Sequence, residues 1–200
     1  MIETAEEFFN RANDKDELGD KQGALSDFSQ AIQIDPNYID AYCNRGALKN
    51  ELGDKQGALS DFSQAIQIDP NYALGYYNRG ILKNELGDKQ GALSDFSQAI
   101  QINPDDGNAY YKRGQLKYVL GDDQGALSDY NRAIQIDPDD GNAYDMRGLL
   151  KKDLGDKQGA LSDYNRAAVL YEKQGNTESY LEVIKDIQNL EKGFWGRLFS

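Results

Sequence analysis

ELGDKQGALSDFSQAIQIDPNY, residues 17–38, recurs letter for letter at residues 51–72. It returns at residues 85–104 with one change, Asn103 where the earlier copies have Asp35 and Asp69. Working outward, Pro36, Pro70, Pro104 and Pro138 fall at a constant interval of 34 residues. A fixed period of this length is the mark of a repeat architecture. Framing on it gives repeats at 5–38, 39–72, 73–106, 107–140 and 141–174, with no insertion or deletion.

Each repeat predicts two helices. In the second, Ala41, Arg45, Leu48 and Leu52 lie at spacings of three and four, so one face of a first helix is apolar or carries a long stem. Gly53 stops it, because glycine takes the left-handed conformation that ends a helix, and Asp54 can cap the helix that follows. Gly19-Asp20, Gly87-Asp88, Gly121-Asp122 and Gly155-Asp156 repeat the signal. The second helix carries Ala58, Leu59, Phe62, Ala65, Ile66 and Ile68, a stripe of small and large residues suited to close packing, and Pro70 closes the repeat. One such hairpin leaves apolar surface on both sides, so stability must come from stacking hairpins.

The pattern resembles the tetratricopeptide repeat, with its aromatic and Gly in the first helix and its spaced Ala, aromatic, Ala and Pro in the second. Tyr42, Gly46, Ala58, Phe62, Ala65 and Pro70 carry it in the second repeat. Tyr76, Gly80, Ala92, Phe96, Ala99 and Pro104 do so in the third, and Tyr110, Gly114, Ala126, Tyr130, Ala133 and Pro138 in the fourth. The terminal repeats depart: the first has Phe8 and Ala12, and the fifth keeps Tyr144, Gly148, Ala160, Tyr164 and Ala167 but has Glu172 in place of the Pro. The resemblance implies an all-α, right-handed superhelical solenoid of helix-turn-helix repeats, acting as a protein- or peptide-binding adaptor or scaffold through its concave face.

One departure runs through the array. Arg11, Arg45, Arg79, Arg113 and Arg147 stand before the small residue where the family usually has an apolar one, and Asp27, Asp61, Asp95, Asp129 and Asp163 precede the second-helix aromatic. An arginine whose stem lies in a packed seam needs a carboxylate or carbonyl for its guanidinium, so a structural Arg–Asp ladder is expected. The alternative is that these arginines line a binding surface.

Beyond Gly175, Tyr180, Ile184, Ile187 and Leu190 share one face, which predicts a C-terminal capping helix over residues 176–192. Residues 193–200 form an aromatic tail with Phe194, Trp195 and Phe199. The tail admits three readings: folding back on the capping helix, docking on another copy of the chain, or contact with a membrane or another partner. Docking would make a self-assembling structural protein, a homo-oligomer joined through the tail, and this is the alternative function.

In the family the first helices line the concave side, and their exposed residues hold an extended or helical peptide. That implies a binding surface of Phe9, Asn10, Asn13, Asn44, Asn50, Glu51, Leu74, Tyr77, Asn78, Ile81, Asn84 and Glu85. Tyr111, Lys112, Gln115, Tyr118, Asp145, Leu149 and Lys152 continue it. Asn10, Asn44 and Asn78 repeat at the period, and a row of amides can hold a peptide main chain without reading its side chains. The family members that grip a C-terminal carboxylate use Lys, Arg and Asn on the early first helices. Here those places hold Phe9, Asn13 and Cys43, with Glu6, Asp16 and Glu17 around them, so a basic or aromatic segment is the expected ligand.

Composition narrows the function. A formal net charge of −12 opposes nucleic acid and anionic lipid. There is no histidine, which removes the commonest general base and metal ligand, and Cys43 is the single cysteine. No cofactor, metal or enzymatic activity is expected. No apolar run reaches the length of a signal peptide or membrane span, and a cytoplasmic location is expected.

Overall fold

The computed structural model describes the backbone of residues 3–198 and the side chains of residues 3–192. The described residues form eleven helices and no strand: α1 Ala5–Glu17, α2 Lys21–Ile34, α3 Ile39–Glu51, α4 Lys55–Ile68, α5 Ala73–Glu85, α6 Lys89–Ile102, α7 Gly107–Val119, α8 Asp123–Ile136, α9 Gly141–Asp153, α10 Lys157–Gln174 and α11 Thr177–Leu198. They divide into two compact units, Met1–Pro104 and Asp105–Ser200. In the N-terminal unit α1/α2, α3/α4 and α5/α6 are antiparallel hairpins, and α3 and α5 each pack on the hairpin before them. In the C-terminal unit α7/α8 and α9/α10 stack in the same way, and α11 packs on α10.

The turn chemistry read from the sequence is what ends and starts these helices. Gly19, Gly53, Gly87, Gly121 and Gly155 all have φ between +82° and +88°, in the left-handed region where a Cβ is costly. The following Asp accepts a hydrogen bond from the backbone N–H three residues on, as in Asp88 from Gly91 at 2.9 Å. At the other end, α10 lacks the closing Pro and runs to Gln174, where Gly175 at φ +71° stops it. That additional length buries Tyr171. α11 then covers the last hairpin with Val183 and Ile187. Its backbone continues through Gly193 and Gly196 to Leu198 rather than ending at residue 192, since each glycine weakens a helix by only about 1 kcal/mol. The readings of the aromatic tail concern side chains outside the described residues.

Close approach within each hairpin rests on small residues. Ala24, Ala31, Ala58, Ala65, Ala92 and Ala99 are fully buried in the N-terminal unit, as are Ala126, Ala160 and Ala167 in the other. The aromatic of the second helix lies against a residue without a side chain: a Cβ on Gly80 would stand 2.9 Å from Phe96 Cε1, and one on Gly148 2.9 Å from Tyr164 Cδ1. One expectation fails in detail. Leu52, placed on the apolar face, is 42% exposed, and Leu18, Leu86, Leu120 and Leu154 are exposed as well. Each is the residue at which its helix stops, so its side chain leaves the packed stripe.

The Arg–Asp ladder is present in all five repeats. Arg79 Nε and Nη2 donate to Asp95 Oδ2 and Oδ1, both at 2.8 Å, in the bidentate geometry that suits a carboxylate. Lys83 adds a second cation at 2.8 Å from Asp95 Oδ2. The same trio recurs as Arg11/Lys15/Asp27, Arg45/Lys49/Asp61, Arg113/Lys117/Asp129 and Arg147/Lys151/Asp163. The aspartates are almost fully buried, so the carboxylate is the hub and the cations reach it from a wetter seam. The pairing is what the structural reading of these arginines expects. Because the ladder joins two cations to each carboxylate, the rest of the chain is more acidic than its net charge of −12 suggests.

Candidate functional site

The face of the N-terminal unit built by α1, α3 and α5 carries the first twelve expected site residues, and it sorts them. Phe9 stacks against Phe28 and Tyr38, with ring centroids 5.7 and 4.9 Å apart, and serves packing. Tyr77 lies half-buried against Phe96 at 6.0 Å. Asn10 and Asn84 are exposed, Leu74 is about half exposed at 48%, and Ile81 is half-buried. Glu51 and Glu85 are exposed and pair with Lys21 and Lys55.

The amide row is partly committed to holding the repeats together. Asn44 Nδ2 donates to Asn13 Oδ1 at 3.0 Å across the first two hairpins, and Asn78 Nδ2 donates to Cys43 Sγ at 3.3 Å across the next. The Cys43 thiol is fully buried, and burial pushes it up from its ordinary value, which leaves it protonated and inert. Asn13, Asn44 and Glu51 come together with Asp16, Phe28, Ala47 and Leu48 around a cavity of about 290 Å³. Asp16 Oδ1 is a buried acceptor without a hydrogen-bond partner, with Lys21 Nζ 3.7 Å away, and Asn50 Oδ1 is a second buried acceptor without one. The lining joins apolar Phe28, Ala47 and Leu48 to the amides of Asn13 and Asn44 and the carboxylates of Asp16 and Glu51, and the carboxylates suit a donor-rich ligand.

In the C-terminal unit the expected residues meet one another rather than open solvent. Gln115 donates to the Tyr111 hydroxyl at 2.8 Å, Lys112 stands 5.4 Å over the Tyr111 ring, and Tyr111 packs on Tyr130 at 6.2 Å. Burial pushes the Tyr111 phenol up to about 12. Its hydrogen bond to Asp153 first, and burial second, pushes Tyr118 up to about 12. Lys152 reaches Asp186 on α11 at 3.8 Å, and Leu149 is half-buried.

Asp145 is the perturbed acid of this face. Burial lifts its carboxyl to about 6, helped by Asp186 and Glu182, while the Tyr171 hydroxyl and Lys152 pull the other way. A carboxyl whose folded value stands above its ordinary 3.8 binds its proton more readily in the folded chain. Stability is therefore lowest above about pH 6 and rises as the pH falls from about 6 toward 3.8. Asp27 has the opposite sign: the Arg11 guanidinium first, then Lys15, holds it down near 2, so its contribution is lost only as the pH falls from 3.8 toward 2. We expect the melting temperature at pH 5 to exceed that at pH 7. Asp145→Asn should flatten the difference, and an unchanged difference in that variant would remove Asp145 as its source.

Among the described residues no group of three or more Cys, Asp or Glu side chains is placed to hold a metal ion. No helix there is long and apolar enough to cross a membrane.

Comparison with known families agrees with the hairpin geometry. Residues 39–72, 73–106 and 107–140 each match the family described as tetratricopeptide repeat, and residues 17–53 match the one described as TPR repeat. The chain belongs to the tetratricopeptide repeat family. Members of this family are typically interaction scaffolds without enzymatic activity. Among curated proteins nothing matches significantly. Among solved structures the chain is similar to a MamA protein, with 26% identity over 89% of this chain and 97% of that one and a TM-score of 0.75. It is similar to MamA from Desulfovibrio magneticus RS-1 at 20% identity, over 87% and 98% of the two chains, with a TM-score of 0.76. YrrB, described as a tetratricopeptide repeat protein with an unusual peptide-binding site, is 21% identical over 90% of this chain and 92% of its own, with a TM-score of 0.70. These likenesses at 20 and 21% concern the fold.

Side chains of the C-terminal unit that the expected surface left out include Asp153, at the repeat position of Glu51 and Glu85, and Asp186, on the capping helix. The available signal was a break in periodicity, since Asp145 stands where the earlier repeats have Phe9, Cys43, Tyr77 and Tyr111.

Proposed function

We propose that the chain is an adaptor or scaffold that holds a basic or aromatic segment of a partner protein against its first helices. The observation that carries this is the cavity at Asn13, Asn44 and Glu51, where apolar Phe28 and Leu48 stand beside the carboxylates of Asp16 and Glu51. A partner segment supplying main-chain N–H groups and a cationic or aromatic side chain would satisfy both. The acidic character of the chain outside the ladder favours such a segment by long-range attraction. Phe9 and Tyr77 contribute to the surface through packing, and Asn10, Leu74, Ile81, Asn84 and Glu85 extend it. Tyr111, Lys112, Gln115, Tyr118 and Lys152 offer a comparable face on the C-terminal unit.

The test is a synthetic peptide array carrying basic-aromatic, neutral and acidic sequences, probed with the whole chain and with the double variant Glu51→Lys, Glu85→Lys. Both glutamates are exposed, and their pairs with Lys21 and Lys55 are surface pairs that contribute little, so the variant should keep the fold, which its circular dichroism checks. Selective capture of basic-aromatic peptides, weakened about tenfold by the variant and by added salt, is the expected result. Equal capture of acidic peptides, or no effect of the charge reversal, would overturn it.

A further inference from the structure

Lys21, the first residue of α2, reaches both carboxylates of the cavity in the N-terminal unit. Its Nζ stands 2.5 Å from Glu51 Oε1 and 3.7 Å from Asp16 Oδ1. The first distance lies within hydrogen-bonding range and the second beyond it, so Asp16 Oδ1 is left without a donor although a cation is near. Among the described residues neither acid pairs with another cation. Two carboxylates therefore share one ammonium, and one negative charge is left over.

The next repeat is an internal control. Residues 51–72 copy residues 17–38, and Lys55 meets Glu85 at 3.2 Å as Lys21 meets Glu51. Asn50, however, stands in the place of Asp16, and Ala47 in the place of Asn13. The second junction thus sets one acid against one cation, and the first sets two acids against one. The surplus acid does nothing for its own helix, because a carboxylate in the last turn of α1 opposes the helix dipole. Asn13 beside it is held in place by the donation from Asn44 at 3.0 Å. The Asp16 side chain is 40% exposed, and with Oδ1 buried that exposure leaves Oδ2 as the oxygen a ligand can reach. Ala47, exposed, lies at the open side of the cavity.

We propose that this cavity receives the ammonium of a lysine side chain from the partner segment, and that Lys21 is its competitor within the chain. The Lys21 contacts show that one nitrogen can stand within ion-pair range of both acids, which suits a point charge with rotatable donors better than a planar fork. The incoming ammonium donates to the Asp16 carboxylate from the cavity side, and its aliphatic stem lies along Ala47 and Leu48. Lys21 keeps Glu51 and weakens the binding, since it repels a second cation and holds one of the two acids. The assignment names the group recognised at the peptide-binding cavity and rests on that reading of the chain.

The experiment titrates the isotope-labelled full chain with N-acetyl-lysine amide, its Nε-acetylated form and N-acetyl-arginine amide, following backbone amide resonances. Acetylation at Nε keeps the stem and removes the charge. Saturable shifts centred on Asn13, Asp16 and Asn44 are expected with the lysine compound, weaker ones with arginine and none with the acetylated form. Asp16→Asn should weaken lysine binding about fivefold, and Lys21→Met should tighten it about threefold, which the loss of a purely structural lysine would not do. Both variants should keep the fold: Asn50 already fills the place of Asp16 in the second repeat, and losing a cation from the first turn of α2 suits the helix dipole. Shifts that fail to saturate, that the acetylated form matches, that survive Asp16→Asn unchanged, or that Lys21→Met leaves no tighter would overturn the assignment. If the peptide array favours basic-aromatic peptides while the lysine compound gives no such shifts, this site alone is refuted. Equal capture of acidic peptides on the array refutes the broader reading.

Discussion

Asp95→Ala is expected to lower the unfolding free energy by about 3 kcal/mol, while Arg79→Met lowers it by about half as much. The asymmetry follows from the ladder's geometry. Asp95 is 3% exposed and holds two cations, so its removal strands Arg79 and Lys83 together in a seam from which they are about four-fifths excluded from water. Removing Arg79 leaves Asp95 still paired with Lys83 at 2.8 Å, and methionine keeps most of the packed stem. What is lost is the bidentate pair and the donation from Arg79 Nη1 to Ser63 at 3.3 Å. Urea unfolding of the two variants beside the parent measures the ratio. No loss for Arg79→Met would mean the arginine is dispensable, and equal losses would mean the carboxylate is not the hub.

Gly80→Leu is the second large effect, with an expected loss of about 3 kcal/mol from overpacking. Phe96 is 2% exposed and cannot swing aside, and its ring lies 2.9 Å from where the first side-chain carbon would stand. The helices α5 and α6 would have to part. Gly80→Ala should be far milder, within about 1 kcal/mol of the parent, because helix propensity gains offset a small shift. The first repeat supports this, since Ala12 occupies the equivalent place with no exposure, in the same core cluster as Phe28. Melting curves for both variants check it. A Gly80→Leu protein as stable as the parent would show that the contact is not tight.

Much of the architecture is visible in the letters because repetition multiplies weak signals. A single Gly-Asp pair is an ambiguous helix boundary, but five at one interval, each followed by an apolar stripe and four by a Pro, are not. The missing Pro at Glu172 likewise anticipates the longer α10, since nothing there prevents the helix from continuing. The Arg–Asp pairing was legible for the same reason, sixteen residues apart in every repeat. The lysine that completes each trio was not singled out, because a lysine near the end of a first helix is an ordinary surface residue in sequence.

The candidate surface was legible as a face and not as a site. Asn44 and Asn78 belong to the expected row, yet their amides are partly occupied by bonds to Asn13 and Cys43 of the preceding repeat. Phe9 belongs to the expected surface and is a packing residue between Phe28 and Tyr38. By itself the sequence determined the repeat, the helix ends and the carboxylate ladder, all of which depend on spacings within a few tens of residues that recur. Only the tertiary structure decided which polar groups are already satisfied and which are left over, such as Asn50 Oδ1 and the hydroxyls of Tyr130 and Tyr164. Those are properties of neighbours on other helices, and an exact repeat carries the same letters whether its neighbour supplies a partner or not.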